Sequence, residues 1–501
     1  MHEGMTLSRR QGGPSTATPA RDQEGRPVPT PRSAPDRAPP TRSVPLVLLL
    51  ALAATLTACG APDGNVDLTV DDEIDMVDGL PVEVDGVPAG ESVTVWARLV
   101  DAQNRPWTAW GAFEADGQGR VDTAAQVPLA GTWETVDPHG LLWSMRLPDG
   151  HHPDPPFALL TEPSHTIEVG ADIGGRTATR TTVARQQYDP GVDESDVRDD
   201  ELVGTLYRPP GDDPAPGVVL FGGSEGGLPA PGLPRALASE GYAVLALAYF
   251  GVEHLPAGLE EIPVEYGVDG VEWLATHDAV ADAPIAVVGA SKGSEYALLV
   301  GAASDLVGGV AAALPSGYAW SGLPAFEEQA NAEVRSSWTR GGEPVDHLEI
   351  GGDARALGAI VDGLRGHPVA LDVTYDAGIA AADEDERRAA ELPVEEVEGP
   401  VLALAAGDDA LWPARLADVI EVRAEREGVA ERVTRSTAED AGHLMFDQPG
   451  LPTTHMTGMP YVAGIWIDAG GEPSATAAGA REGWAHLTDL LADATSDRSE
   501  P

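Results

Sequence analysis

The sequence predicts an α/β protein: a mostly parallel sheet covered on both faces by helices, preceded by a small all-β, Ig-like sandwich. Three observations carry this. Beyond residue 202, apolar runs alternate with helical stretches. Those runs are apolar on both faces, as buried parallel strands require. Residues 76–185 instead show short alternating runs, such as Ser92-Val-Thr-Val-Trp-Ala-Arg-Leu99 and His165-Thr-Ile-Glu-Val169, parted by Gly, Pro and Asp turns.

The elements follow in order. Residues 1–42 are rich in Pro, Arg, Ser and Thr without hydrophobic periodicity, and form a disordered basic tail. Residues 43–59 are an uncharged apolar run of the length of a signal-peptide h-region, too short to span a bilayer comfortably. Its end, Leu56-Thr57-Ala58-Cys59-Gly60, is similar to a bacterial lipobox, and the chain's single cysteine falls at the position that is lipidated. The expectation is an extracytoplasmic protein anchored to a lipid bilayer through Cys59. An acidic tether, 60–75, leads to the sandwich. In the α/β part, 202–494, strands are expected at 217–221, 242–249, 285–288, 310–314, 401–405 and 432–434. Helices are expected at 233–240, 268–277, 291–303, 413–428 and 477–492. An acidic, Gly-rich stretch at about 320–390 reads as a cap-like insertion.

Composition sets limits. The 501 residues allow two or three domains. With 81 acidic against 31 basic side chains and a net charge of −50, the surface repels phosphate backbones, so nucleic acid is excluded as a partner. One cysteine forbids an internal disulfide and cysteine-rich zinc sites. The adjacent His151 and His152 sit in a Pro-rich turn and read as a solvated loop, so neither metal nor organic cofactor is expected.

The chemistry concentrates on Val287-Val-Gly-Ala-Ser-Lys-Gly-Ser-Glu295, a G-x-S-x-G string after a strand and before a helix. That context makes it a nucleophile elbow, with Gly289 and Gly293 where side chains would collide and Ser291 exposed at the sheet edge. The Lys292 N–H, at the helix N-terminus, is one oxyanion donor. The loop Gly222-Gly-Ser-Glu-Gly-Gly227 offers a second, Ser224 N–H before that of Glu225. A phosphate cradle is disfavoured there, since no Lys follows and Glu225 lies in the loop. In the chain order Ser, acid, His, the Asp408-Asp409 pair follows the 401–405 strand and His443 follows the next. Asp409, four residues before Pro413, is chosen over Asp408 to orient His443, which takes the Ser291 proton. His455 and His486 follow no strand. This constellation makes the larger domain an α/β-hydrolase.

Several segments together resemble the acyl-CoA thioesterase and bile acid-CoA:amino acid N-acyltransferase family. They are Gly131-Thr-Trp-Glu-Thr-Val-Asp-Pro-His-Gly-Leu-Leu-Trp-Ser-Met145, Trp107 to Asp122, Leu245-Ala-Leu-Ala-Tyr-Phe-Gly251, Ser337-Trp-Thr-Arg-Gly-Gly342 and Leu392-Pro-Val-Glu-Glu-Val-Glu-Gly-Pro-Val-Leu402. The likeness spans about 75–465. It implies a β-sandwich joined to an α/β-hydrolase, a triad on Ser291, Asp409 and His443, and an acyl-CoA substrate. A serine nucleophile, where conjugating members tend to use cysteine, implies hydrolysis of acyl thioesters rather than transfer. Two features depart from the family: the export signal and the acidity, which repels polyanionic CoA unless the cleft is locally basic. Arg335, Arg340 and Lys292, the only lysine, are candidates for that patch, with Glu225 a further substrate contact. Lys292 has a plainer reading as the partner of Glu295 one turn on. Two other functions stay open: an extracytoplasmic carboxylesterase or acyltransferase with a non-CoA donor, and a catalytically silent surface binding lipoprotein. The sequence does not define the oligomeric state.

Overall fold

The computed structural model describes residues 66–148, 162–199, 201–252, 254–325, 333–352, 354–460 and 465–496. The basic tail, the apolar segment ending at Cys59, and His151-His152 lie outside the described residues.

The sandwich pairs a six-stranded sheet with a three-stranded one. Its long strands, Ser92–Val100 and Pro106–Glu114, alternate buried and open positions, so Val93, Val95, Ala97 and Leu99 face the core with Trp107, Ala109 and Phe113. Period-two burial is what a sheet covered on one face produces. The expected tether is in part a pair of strands. Asp67–Thr69 pairs with Glu83–Asp85, and Glu73–Ile74 runs parallel to the strand Arg176–Gln186. Val66, Leu68 and Val70 pack on the core while the intervening Asp67 and Thr69 stay exposed, an alternation hidden by the acidic composition.

The larger sheet has eight strands, in the order Asp193–Asp199, Leu202–Arg208, Ala243–Ala248, Gly217–Phe221, Ile285–Ala290, Val307–Ala313, Val401–Ala406 and Val433–Ala438. The first two form an antiparallel hairpin and Leu202–Arg208 is antiparallel to Ala243–Ala248; the other pairings are parallel. This sheet therefore begins at Asp193, ahead of the expected start at 202. Asp193–Asp199 is an edge strand with only Val197 buried, so it has no apolar run to betray it.

Successive residues of the central strands feed two cores. Val219, Phe221, Leu245, Leu247, Val287 and Val310 face one, with the helices Val264–Ala275 and Lys292–Gly301. Val218, Leu220, Val244, Ala246, Val288 and Ala311 face the other, with Gly232–Ser239 and Pro473–Ala494. Leu487 on that last helix is fully buried; truncation to Ala would cost about 2–5 kcal/mol. The insertion between Val307–Ala313 and Val401–Ala406 carries the short strand Trp338–Arg340 and the helices Ala354–Gly363, Asp372–Ala381 and Glu384–Ala389. Trp320 and Trp338 from it are fully buried, so this part of the insertion is built into the body of the domain.

Candidate active site

The strand Ile285–Ala290 ends at Ser291, which turns the chain directly into the helix Lys292–Gly301. Ser291 holds φ 53° and ψ −124°, a region sparsely populated by residues with a side chain. The turn closes because its flanks are glycines. A Cβ on Gly289 would lie 2.0 Å from the Gly293 carbonyl oxygen, and one on Gly293 would lie 2.1 Å from that of Gly222. The strained turn thus projects Ser291 from the end of the sheet, beside the first free N–H groups of the helix.

Asp409 lies just past Val401–Ala406, and His443 opens a short helical turn after Val433–Ala438. His443 Nδ1 is 2.6 Å from Asp409 Oδ2, and Nε2 is 3.0 Å from Ser291 Oγ. His443 and Asp409 are both buried. The Trp412 ring packs edge-on against the imidazole, with centroids 5.8 Å apart. Asp408 faces elsewhere and accepts the Gly471 N–H at 3.1 Å. His455 packs on Trp107, with rings 5.1 Å apart, and His486 lies 3.8 Å from Glu482 on the last helix. The structure thus brings together the three residues singled out from chain order and leaves the competing acid and histidines in other contacts.

The loop after Gly217–Phe221 passes beside Ser291: a Cβ on Gly223 would lie 3.3 Å from that of Ser291. Glu225 bends back so that its Oε1 accepts the Gly223 N–H at 2.9 Å. Its carboxylate therefore braces the loop, and Ser224 is exposed at the tip. Tyr249 holds the loop from below, its hydroxyl donating to the carbonyls of Gly222 at 2.8 Å and Gly223 at 3.0 Å. Burial holds that hydroxyl's pKa well above the usual tyrosine range, so it remains a donor. Sequence reasoning missed Tyr249 and Trp412. Each is an aromatic residue just past a strand, on the same side of the sheet as the elbow, and that position was the available signal.

The expected basic patch is not assembled. Lys292 is turned into the core, 1% exposed, with Nζ 2.8 Å from Glu295 Oε1. The other oxygen of Glu295 accepts the Trp338 indole N–H at 2.8 Å and the Trp320 amide at 3.2 Å. Burial lowers the pKa of the ammonium and raises that of the carboxyl, each against the attraction of the other. Arg335 pairs with Glu261 and Arg340 with Glu396, both at 3.0 Å on the surface. Arg340 also reaches the Ala302 carbonyl, at the far end of the helix that begins beside Ser291, about 15 Å away by helical rise. Among the described residues, no group of three or more His, Cys, Asp or Glu is placed to hold a metal.

A twisted, mostly parallel sheet with a serine on the central strand-to-helix turn, hydrogen-bonded through a histidine to an aspartate from later loops, defines an α/β-hydrolase, here with a β-sandwich in front of it. The chain belongs to the acyl-CoA thioester hydrolase/BAAT family and is an enzyme. The profile of that family's N-terminal region matches residues 78–199, and that of its C terminus matches 368–497. Acyl-coenzyme A thioesterase 1 of Mus musculus is 28% identical over 418 residues, covering 81% of this chain and 91% of that one. Peroxisomal succinyl-coenzyme A thioesterase of Mus musculus is 29% identical over 348 residues, covering 67% and 75%.

Proposed function

We propose that this enzyme hydrolyses acyl thioesters of the acyl-CoA class through an acyl-Ser291 intermediate. The observation that carries the reading is His443, held between Asp409 at 2.6 Å and Ser291 at 3.0 Å. His443 Nε2 takes the Ser291 proton as Oγ attacks the thioester carbonyl, and Asp409 fixes the tautomer and stabilises the imidazolium. The N–H groups of Lys292 and Ser224 hold the oxyanion. Collapse breaks the C–S bond, and the His443 proton passes to the leaving sulfur. Water, deprotonated by His443, then attacks the acyl-serine and releases the carboxylic acid, restoring Ser291. The thioesterase relatives support the thioester as substrate.

A second reading has its own support: an extracytoplasmic ester hydrolase or acyltransferase whose donor is not CoA. Lys292, Arg335 and Arg340 each face a glutamate, so none is a spare cation for CoA phosphates in a chain of net charge −50. The signal-like apolar run ending at Cys59 supports the same reading, in which the enzyme is exported and anchored to a lipid bilayer.

Purified enzyme should hydrolyse palmitoyl-CoA faster than a matched oxygen ester, and Ser291→Ala should lower turnover by about 10⁴-fold or more. Equal rates for Ser291→Ala and the parent would overturn the acyl-serine mechanism, and preference for the oxygen ester would favour the second reading. Palmitate labelling in cells should be lost in Cys59→Ala; labelling that persists would overturn the anchor.

A further inference from the structure

The chain that follows His443 packs on the hydrolase core through Met445 and Phe446, passes the start of the helix Gly232–Ser239 with Asp447 and Gln448, and meets the sandwich at Gln448 and Gly450. Hydrogen bonds that tie 446–452 to distant parts of the molecule end at Arg185 and Gln187, at the end of the sandwich strand Arg176–Gln186. Arg185 Nη1 donates to the Gly450 carbonyl at 2.5 Å and Nη2 to that of Met76 at 2.6 Å. Gln448 Nε2 donates to Gln187 Oε1 at 2.9 Å. A few residues on, the Thr453 N–H donates to the Trp143 carbonyl at 3.1 Å and Thr454 Oγ1 to that of Met145 at 2.6 Å.

Arg185 is an unusual choice for this place. It is 3% exposed, its Nε is buried without a hydrogen-bond partner, and among the described residues no carboxylate lies within ion-pair distance. Burial lowers its pKa to about 10, against the longer-range pull of Asp78, which still leaves it charged at neutral pH. A buried charge met at hydrogen-bond distance only by carbonyl dipoles opposes folding, and an apolar side chain would fill the space at lower cost. What the guanidinium adds is a planar fork that fixes two carbonyls at once. Gly450 is shaped to receive it: φ is 81°, and a Cβ there would lie 1.6 Å from Arg185 Nη2. The fork therefore seats on the bare Cα of a residue seven positions after His443.

We propose that Arg185 is a positioning residue for the catalytic base, through which the sandwich domain sets the approach of His443 to Ser291. Asp409 and the Ala469 carbonyl, which accepts the His443 N–H at 2.8 Å, hold the N-terminal side of the 443–450 segment; the Arg185 fork on Gly450 holds its other end. Without the fork, the segment shifts and the Nε2 to Oγ geometry with it. A displacement of the order of 1 Å at a reacting group costs about 10²-fold in rate. This inference rests on the reading of His443 as general base.

The test compares the parent with R185M, R185K, G450A, Q187L and S291A as full chains, measuring acyl-CoA hydrolysis across pH. R185M should lower kcat by about 10- to 100-fold with little change in KM. It should also displace the acidic limb of the kcat/KM profile, because His443 is no longer held against Asp409. R185K, which keeps the charge and one donor direction, should restore part of kcat. G450A, whose methyl displaces the fork, should reproduce R185M. A folded R185M with the parent's kcat and pH profile, or a loss confined to KM, would overturn the proposal. If R185M does not fold, Q187L decides: a several-fold fall in kcat supports the clamp and the parent's kcat refutes it. Activity retained in S291A would instead refute the triad, whatever R185M does.

Discussion

Asp409 grips His443 with one carboxylate oxygen and its own loop with the other: Oδ2 lies 2.6 Å from Nδ1, while Oδ1 accepts the amides of Leu411 at 2.8 Å and Trp412 at 3.2 Å. Asp409 is thus held by its own loop where it meets the imidazole. Asp409→Asn keeps the shape but presents an amide that favours the wrong imidazole tautomer, and kcat should fall by about 10⁴-fold. Asp408→Asn loses only a charge-assisted bond to Gly471 and should stay within a few-fold of the parent. Comparing the two single variants on one acyl-CoA substrate checks the assignment, and comparable losses in both would contradict it.

Tyr249 lies one layer below the loop 222–227, which carries the proposed oxyanion donor Ser224. Tyr249→Phe keeps the ring stack with Tyr296, with centroids 4.9 Å apart, and removes only the hydroxyl shared by the Gly222 and Gly223 carbonyls. The loop loses its lower tether, so kcat should fall by about tenfold, with about 1 kcal/mol lost in unfolding free energy. Unchanged kcat in a protein that is measurably less stable would assign Tyr249 to packing alone.

The Lys292–Glu295 pair couples the elbow helix to the insertion, since Glu295 also receives Trp320 and Trp338. Removing one partner strands a buried charge. Lys292→Met should therefore destabilise the fold by about 3–5 kcal/mol, whereas the double variant Lys292→Met, Glu295→Gln should recover most of that loss. Denaturant unfolding of both single variants and the double gives the coupling energy. Additive losses would mean that the two charges are independently solvated.

How much of this was legible follows from where each signal resides. The parallel strands announce themselves because each is apolar on both faces, as in Gly217–Phe221 and Val401–Ala406, and the elbow because its glycines and serine are contiguous. Asp409 and His443 were picked out by order along the chain, since each follows a strand of the same sheet. Asp193–Asp199 was missed because an edge strand needs little apolar surface. The fate of Lys292 was undecided because its burial depends on Trp320 and Trp338, which the insertion folds over it from far along the chain. The Arg185 clamp was invisible for the same reason: its two ends lie 265 residues apart, and no local pattern links a strand-end arginine to a distant glycine.

Asp447 makes the stability of the His443 segment depend on pH. Burial raises its carboxyl from 3.8 to about 6, against only the hydrogen bond from the Gln448 amide. The native state thus binds this proton more tightly than the unfolded chain does. The stabilisation that comes from protonation is complete below the unfolded pKa and is lost as pH rises through about 6. At pH 7.5 the carboxylate is ionised in a site that favours the neutral form. Asp447→Asn, neutral at every pH and still able to accept the Gln448 N–H, should stabilise the protein there by about 1–2 kcal/mol, a range that allows for its partial exposure. The gain should shrink steadily toward pH 5. Denaturant unfolding of parent and variant between pH 5 and 8 measures it, staying above the isoelectric point of about 4.3, where the loss of net charge invites precipitation. A gain independent of pH would mean that the introduced amide improves packing, and that the Asp447 carboxyl titrates in its ordinary range.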